Sequence, residues 1–332
     1  MIARPRVALA MRDDALRDAL FSGRLRDRLN AVADCDFAAV VTDFSRSPVD
    51  LGSVEVLLTG WGCPRFDAAA LDRLPALRLV AHAAGTVKGH VDPVCWERRI
   101  LVTTAATANA VPVAEFTVAQ IILANKAVAA AAHAYRRDRV RPVPGPLVGN
   151  YERTVGVIGA STIGRLVIQR LGSYDLDVVV SDPTISPADA AQLGARLVSL
   201  DELMAVSDVV SLHAPVLPST VGMIGSAQLA RMRDGATFLN TARGVLVDHQ
   251  ALRAELVSGR ISAVLDVTDP EPLEPDDVLF ELPNVQLTPH VAGSLGTELR
   301  RMTALAVEEI ERFARDEPPR HAVHREDLER MA

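Results

Sequence analysis

Three polar residues in this sequence have side chains suited to binding a carboxylate and moving a proton, and each follows a predicted β-strand. Arginine offers a two-pronged hydrogen-bonding fork for a carboxylate and can polarise a neighbouring carbonyl. Histidine can give or take a proton near neutral pH, and a carboxylate beside it favours the imidazolium form. The residues are Arg243 after strand 236–240, Glu271 after strand 262–267 and His290 after strand 285–288.

Upstream of these residues, a glycine-containing turn has the pattern of a dinucleotide-binding site. A predicted strand at 154–159 enters Gly159-Ala-Ser161-Thr-Ile-Gly164, and a helical pattern leaves it. Such a turn presents the free N–H groups and the positive end of a helix to a pyrophosphate. Ser161 replaces the usual middle glycine, and its hydroxyl could donate to a phosphate oxygen. The alternative is an ordinary glycine turn.

Asp182 strengthens the dinucleotide hypothesis, because it ends the next predicted strand, 18 residues after Gly164. An acid at this place accepts hydrogen bonds from the adenosine ribose and repels a 2′-phosphate, so the sequence favours NAD over NADP. With a nicotinamide in place, an arginine, a glutamate and a histidine are the set that reduction of a 2-keto acid needs. The alternative for Asp182 is an ordinary surface carboxylate.

The elements that must position these residues form two α/β systems with largely parallel sheets. The first runs from 6 to about 104, and the second begins at 154, after an alanine-rich helix and a proline-containing surface connection at 139–149. We expect that helix, 113–134, to be one buried helix, although its length prompts comparison with a membrane span. A final amphipathic helix is predicted at about 298–315.

Composition limits the class of protein. The chain has 332 residues, 49% of them apolar, and a formal net charge of −7, which argues against a surface for nucleic acid or an anionic membrane. Three cysteines without metal-ligand spacing fit a reducing cytoplasm, and the N-terminal apolar run is too short for a signal peptide. We expect no metal site, including at His321 and His324.

These segments together resemble the D-isomer-specific 2-hydroxyacid dehydrogenase family. The resemblance is strongest between 150 and 300, in Ser207-Asp-Val-Val-Ser-Leu-His213-Ala-Pro215, Asn240-Thr-Ala-Arg243-Gly-Val-Leu-Val-Asp248, Asp266-Val, Glu271-Pro, Thr288-Pro-His290 and Ala292-Gly293. It implies that Arg243 holds the substrate carboxylate and carbonyl, that His290 is the general acid/base, and that Glu271 is its partner.

The resemblance also implies the remaining site residues. Asp266 would bind the nicotinamide amide, and backbone N–H groups around Ala84, Gly85 and Thr86 would meet the substrate carboxylate. The cofactor would be lined by Gly159, Ser161, Thr162, Ile163, Asp182, His213, Ala214, Pro215, Thr241, Ala242 and Gly293.

The implied fold is α/β, with two doubly wound parallel-sheet domains. A Rossmann NAD-binding domain, 105–296, would be inserted into a flavodoxin-like substrate domain made of 1–104 and 297–332. A homodimer is expected from the resemblance alone.

The first domain matches only loosely, and its loop 85–92 departs from the family's commoner glycine–valine–glycine form. Lys88 or His82 could touch an acidic side chain of the substrate, but ordinary loop or strand structure is favoured for both. Trp61 could line the cleft or simply pack.

Two other functions share this fold. One is a non-catalytic NAD(H)-sensing binding protein, which can retain the arginine, glutamate and histidine; the absence of an interaction tail or basic patch argues against it. The other is a formate dehydrogenase, in which a glutamine accompanies the histidine, so Glu271 argues against it.

Overall fold

The computed structural model describes residues 4–141, 143 and 149–330. The predicted connection at 139–149 and the end of the chain therefore lie partly outside the described residues. The chain folds into two compact units: unit 1 comprises 1–109 and 294–332, and unit 2 comprises 110–293.

The strands are short and rich in β-branched residues, as buried parallel strands usually are. In chain order they are β1 (Arg6–Ala10), β2 (Asp34–Val41), β3 (Val56–Thr59), β4 (Leu79–His82), β5 (Leu101–Thr104), β6 (Arg153–Ile158), β7 (Leu176–Ser181), β8 (Arg196–Leu197), β9 (Val209–Leu212), β10 (Thr237–Asn240), β11 (Ser262–Leu265) and β12 (Val285–Leu287).

Among the described residues, five helices begin at a Ser or Asp cap whose side chain accepts a first-turn N–H group. They are α1 (Asp14–Leu20), α2 (Gly23–Val32), α3 (Ala68–Asp72), α4 (Val94–Glu97), α5 (Ala106–Asn125), α6 (Val128–Asp138), α7 (Thr162–Leu171), α8 (Pro187–Leu193), α9 (Leu200–Val206), α10 (Ser226–Leu229), α11 (His249–Val257) and α12 (Leu299–Ala314).

Unit 1 is a five-stranded parallel sheet in the order β2-β1-β3-β4-β5, with apolar clusters on both faces. Alternate residues of β3 belong to the two clusters. Leu58 packs in the cluster that contains Met302 and Ile310 of α12, whereas Leu57 packs in the cluster on the opposite face. This strand order is that of flavodoxin-like folds.

Unit 2 is a seven-stranded parallel sheet in the order β12-β11-β10-β9-β6-β7-β8. The chain runs outward from β6 to β8 on one side of the sheet and then from β9 to β12 on the other, so its direction reverses between β6 and β9. This is the strand order of a Rossmann sheet with one further strand. Clusters around Phe238 and Val157 fill its two faces. The predicted fold class, two doubly wound parallel sheets, is confirmed.

The alanine-rich segment differs from its prediction, because 113–134 is not one buried helix. α5 ends at Asn125 and α6 begins at Val128, with Ala127 between them in the left-handed conformation at φ +49°, which a right-handed helix cannot contain. No residue of α6 is buried. By length and composition α5 could cross a membrane, and half of its most apolar stretch is buried, as in the core helix of a folded domain.

Candidate functional site

Two glycines in the turn after β6 are required by close backbone contacts in unit 2. Gly159 has φ +93°, and a Cβ there would lie 2.8 Å from the carbonyl carbon of His213. A Cβ on Gly164 would lie 2.0 Å from the carbonyl oxygen of Gly159. The turn therefore lies against the end of β9 and brings α7 directly onto its own strand, which is the role expected of these glycines.

Ser161 fits the position of the middle glycine without backbone strain. Its φ of −81° and ψ of −163° are extended, and it is the N-cap of the ten-residue helix α7. Its side chain makes no capping hydrogen bond, although serine at this position usually does, and the residue is exposed. The hydroxyl and the first-turn N–H groups at Thr162 and Ile163 are therefore open to an anion.

Asp182 follows β7 and is tied to the glycine turn. Its Oδ2 accepts a hydrogen bond from the Ala160 N–H at 2.6 Å, and its Oδ1 accepts the N–H and hydroxyl of Thr184 at 2.7 and 2.6 Å. Partial burial opposes ionisation, but these hydrogen bonds outweigh it, so the pKa of Asp182 is lowered. The carboxylate is charged at neutral pH, as discrimination against a 2′-phosphate requires.

The residues predicted to form the rest of the cofactor wall lie at the ends of β9 and β10. His213 is buried and its Nε2 bonds the Ser211 hydroxyl at 2.8 Å, and burial lowers its pKa to about 4, so the ring is neutral. Ala214 is buried and Pro215 partly buried behind it. Thr241 bonds the hydroxyl of Thr117 on α5 at 3.1 Å.

Arg243 lies on a turn that the Asn240 side chain holds in place. The Asn240 amide accepts the Ala242 N–H at 2.9 Å and donates to the Arg243 carbonyl oxygen at 3.0 Å. The guanidinium donates to the Ala242 carbonyl oxygen at 2.6 Å. Burial lowers the pKa of Arg243, and the charge of nearby Glu271 acts in the opposite direction.

His290 and Glu271 form a direct pair. Nδ1 of His290 lies 2.7 Å from Oε1 of Glu271, and the two side chains are 47% and 42% exposed. Because Nδ1 faces the carboxylate, Nε2 of this half-exposed ring is the nitrogen available to a substrate. The backbone of His290 has φ +54°. Its backbone N–H donates to the carbonyl oxygens of Asp266 and Thr288, each at 3.0 Å.

Asp266 supports this segment from the end of β11. The residue is 2% exposed. Its Oδ1 accepts the Val291 N–H at 2.8 Å and the Thr288 hydroxyl at 2.5 Å, and its Oδ2 accepts the Ala292 N–H at 2.9 Å. The carboxylate thus fixes the loop that carries His290, a role that sequence reasoning missed; its contact with a nicotinamide stays a prediction.

Unit 1 contains the segment after β4. In the part of the chain that the structure describes, the N–H groups of Ala84, Gly85 and Thr86 form no hydrogen bond. Successive free N–H groups in a turn conformation can bind an anion. His82 is buried, with Nδ1 on the Thr59 hydroxyl at 2.8 Å, so it is a strand residue and does not point toward solvent.

Taken residue by residue, unit 2 fits a dinucleotide. The turn with Gly159 and Gly164 and the open N-terminus of α7 suit a pyrophosphate, and the charged Asp182 suits a ribose. The neighbouring arginine and the His290–Glu271 pair suit a carboxylate and a proton transfer. Among residues 4–141, 143 and 149–330, no three His, Cys, Asp or Glu side chains are grouped to hold a metal ion.

The sequence of unit 2 matches a known family. Residues 118–292, more than half of the chain, match the sequence model described as D-isomer specific 2-hydroxyacid dehydrogenase, NAD binding domain. The chain belongs to this family. The match confirms both the predicted family and the prediction of an NAD-binding domain.

Individual relatives agree with this placement. The chain is 38% identical over 250 residues to D-3-phosphoglycerate dehydrogenase of Mycobacterium bovis, covering 73% of this chain and 47% of that one. It is 33% identical over 266 residues to glyoxylate reductase of Korarchaeum cryptofilum, covering 79% and 80%. The chain thus spans about half the length of the phosphoglycerate dehydrogenase.

A solved family member shows the same fold. It is the NAD-complexed D-isomer specific 2-hydroxyacid dehydrogenase of Lactobacillus delbrueckii ssp. bulgaricus, with a TM-score of 0.80 and 23% sequence identity, covering 96% of this chain and all of that one.

Proposed function

We propose that the chain is an NAD-dependent oxidoreductase that reduces a 2-keto acid to a D-2-hydroxy acid, or catalyses the reverse reaction. The observation that carries the proposal is the His290–Glu271 pair, with Nδ1 and Oε1 2.7 Å apart. A carboxylate on Nδ1 orients the ring and leaves Nε2 for the substrate.

When bound, NADH supplies the hydride that adds to the carbonyl carbon. In the same step His290 gives its Nε2 proton to the carbonyl oxygen, so the C=O π bond breaks as one C–H and one O–H bond form. Glu271 balances the charge of the imidazolium before this transfer. In the reverse direction, His290 takes the hydroxyl proton.

The substrate carboxylate has two sets of proposed partners. Arg243 would bind it through the guanidinium fork and polarise the adjacent carbonyl. The free N–H groups of Ala84, Gly85 and Thr86 would bind it from unit 1. The cofactor would lie on the Gly159–Gly164 turn, with Asp182 accepting from its ribose hydroxyls.

The test follows NADH absorbance with glyoxylate, hydroxypyruvate, pyruvate, phenylpyruvate and a branched 2-keto acid, and NAD reduction with D-3-phosphoglycerate. We expect turnover with at least one of them. Tight NADH binding, measured by fluorescence, without any turnover would contradict the proposal and support the NAD(H)-sensing alternative. Oxidation of formate would instead support the formate dehydrogenase alternative.

The assigned acid/base is tested with His290→Gln, and His133→Gln on exposed α6 is the matched control. Removing a general acid/base costs roughly 10²- to 10⁴-fold in kcat. We expect that loss for His290→Gln with unchanged NADH affinity, and wild-type kinetics for His133→Gln. Full activity of His290→Gln would refute its assignment.

Two further properties belong to the proposal. We propose a cytoplasmic location because the three cysteines, Cys35, Cys63 and Cys95, are free thiols. We propose a homodimer from the family resemblance. Size-exclusion chromatography with light scattering tests the second property.

A further inference from the structure

The turn that carries Arg243 begins at a fully buried amide. Asn240 is the last residue of β10, which lies between β9 and β11 in the sheet of unit 2, and it is 0% exposed. A buried amide destabilises a fold unless its polar atoms are hydrogen-bonded. Here Oδ1 accepts the Ala242 N–H at 2.9 Å, and Nδ2 donates to the Arg243 carbonyl oxygen at 3.0 Å. Because one partner can only donate and the other can only accept, the orientation of the amide is defined.

These two bonds hold the guanidinium of Arg243 through the backbone. They fix the peptide groups on either side of the one that joins Ala242 to Arg243. The carbonyl oxygen of that middle peptide accepts a hydrogen bond from Nη1 of Arg243 at 2.6 Å. Among the described residues the guanidinium forms no second hydrogen bond, so its other N–H groups are open to a carboxylate. A rotation of the middle peptide would therefore move the fork that is proposed to bind the substrate.

A second side chain holds the same turn from α5. The hydroxyls of Thr117 and Thr241 lie 3.1 Å apart, and the two residues are 0% and 7% exposed. The turn is thus attached to a helix at Thr241 and to the end of its own strand through Asn240. Asn240 and Thr117 are buried too completely to touch a substrate, so any effect they have on the reaction passes through the turn.

We propose that Asn240 and Thr117 are positioning residues for the reaction, which together set the angle at which Arg243 presents its fork to the substrate carboxylate. The inference rests on the proposed function, which gives Arg243 that role. Neither side chain carries a charge or takes part in the proton transfer. Substitution of either residue therefore weakens carboxylate binding and turnover only where Arg243 is present.

The experiment is a double-mutant cycle with Arg243. Asn240→Leu keeps the branched shape of the side chain and removes both hydrogen bonds. With saturating NADH and the best keto acid of the panel, we expect kcat/KM to fall about 30-fold, the effect of leaving buried polar groups unpaired. The Kd of oxalate, a non-reacting carboxylate, should rise by a similar factor. In the Arg243→Lys background the same substitution should change both quantities less than about threefold, because the fork that Asn240 orients is already absent.

Asn284→Leu is the matched control. The Asn284 amide also donates to backbone carbonyl oxygens, those of Leu256 and Ile261 at 2.9 and 2.7 Å. It directly precedes β12, so it lies at the opposite end of the parallel sheet from Arg243. We expect wild-type kcat/KM for this variant, even where thermal unfolding shows a lower stability. A fall in kcat/KM equal to that of Asn240→Leu would overturn the inference.

Thr117 provides a second test that leaves Asn240 in place. Thr117→Val is isosteric and removes only the hydroxyl, whereas Thr117→Ser keeps it. We expect kcat/KM to fall about fivefold in Thr117→Val, the effect of one hydrogen bond, and to stay within about twofold of the wild type in Thr117→Ser. Equal values for all three proteins would overturn the inference, as would defects that persist in full in the Arg243→Lys background. If Asn240→Leu does not fold, the two Thr117 variants, measured with and without Arg243→Lys, decide by the same criteria.

The two proposals fail differently. An inactive wild-type protein contradicts the proposed function, whereas an active wild type whose Asn240 and Thr117 variants keep the wild-type kcat/KM contradicts this inference alone.

Discussion

Mild acid should destabilise both units, because each contains a buried histidine that stays neutral in the folded state. Burial lowers the pKa of His82 in unit 1 to about 3 and that of His213 in unit 2 to about 4, from an ordinary value of 6.5. In the unfolded chain both rings take up a proton near pH 6.5. The unfolded state therefore binds more protons between pH 6.5 and the folded pKa values, and stability falls as the pH falls through that window.

The size of the effect follows from proton linkage. Each histidine lowers the free energy of unfolding by up to about 1.4 kcal/mol for each step of one in pH inside the window, so moving from pH 7 to pH 5 costs unit 1 and unit 2 about 2 kcal/mol each. His249, whose pKa is also lowered by burial, adds to the effect in unit 2. Asp182 and Asp277 have pKa values lowered from 3.8, so their contribution to the free energy of unfolding is lost only as the pH falls below about 3.8, outside this range.

The two units can be followed separately, because both tryptophans of the sequence, Trp61 and Trp96, lie in unit 1. Urea unfolding at pH 7, 6 and 5 is monitored by tryptophan fluorescence for unit 1 and by far-UV circular dichroism for both units. His82→Phe is the matched control. The unfolding free energy measured by fluorescence should lose its pH dependence in this variant, whereas circular dichroism should still report the pH dependence of unit 2. Equal free energies of unfolding by fluorescence at pH 7 and 5 in the wild type would refute the reasoning, as would an equal fall in His82→Phe.

Three further predictions concern the proposed site. Arg243→Lys should lower kcat/KM about 100-fold in steady-state assays, because an ammonium cannot form the two-pronged bond to a carboxylate; retention of activity would argue against that role. Asp182→Ala should weaken NADH binding and narrow the preference over NADPH in fluorescence titrations, and an unchanged ratio would contradict the ribose contact. Gly164→Ala should abolish NADH binding and lower stability by about 1–3 kcal/mol, since its Cβ would lie 2.0 Å from a carbonyl oxygen. Gly23→Ala, where a Cβ meets nothing within 4 Å, is its control and should leave both unchanged.

The fold was predictable from the sequence because the information is local. Short apolar runs alternate with helical patterns, and this alternation alone favours parallel sheets with helices on both faces. The turn at Gly159–Gly164 and the acid at Asp182 lie within one strand–helix–strand unit, so their spacing could be read directly.

Features that depend on distant residues or on single backbone angles could not be read in this way. The break between α5 and α6 depends on the left-handed conformation of Ala127, a residue type that favours helix continuation. The bonds from Thr288, Val291 and Ala292 to the Asp266 carboxylate join residues 22 to 26 positions apart. The buried Val323, whose carbonyl oxygen accepts the Trp96 indole N–H at 2.9 Å, lies in a tail whose sequence is polar and uninformative.

The convergence of Arg243, Glu271 and His290 is a consequence of strand order. β10, β11 and β12 are consecutive neighbours in the sheet, and each of the three residues follows the carboxyl end of one of them. Neighbouring parallel strands lie about 4.8 Å apart. The loops that follow these three strands therefore begin close together, whatever their sequences.

The loops then adjust the side chains within that area. A Cβ on Gly244 would lie 2.0 Å from the Thr268 carbonyl oxygen, so the backbone after Arg243 lies directly against the loop that carries Glu271. Asp266 fixes the His290 loop through three hydrogen bonds. Glycine at 244 is therefore part of the site's geometry although it has no functional group: a larger residue there would separate the arginine turn from the glutamate loop and leave the strand ends in place.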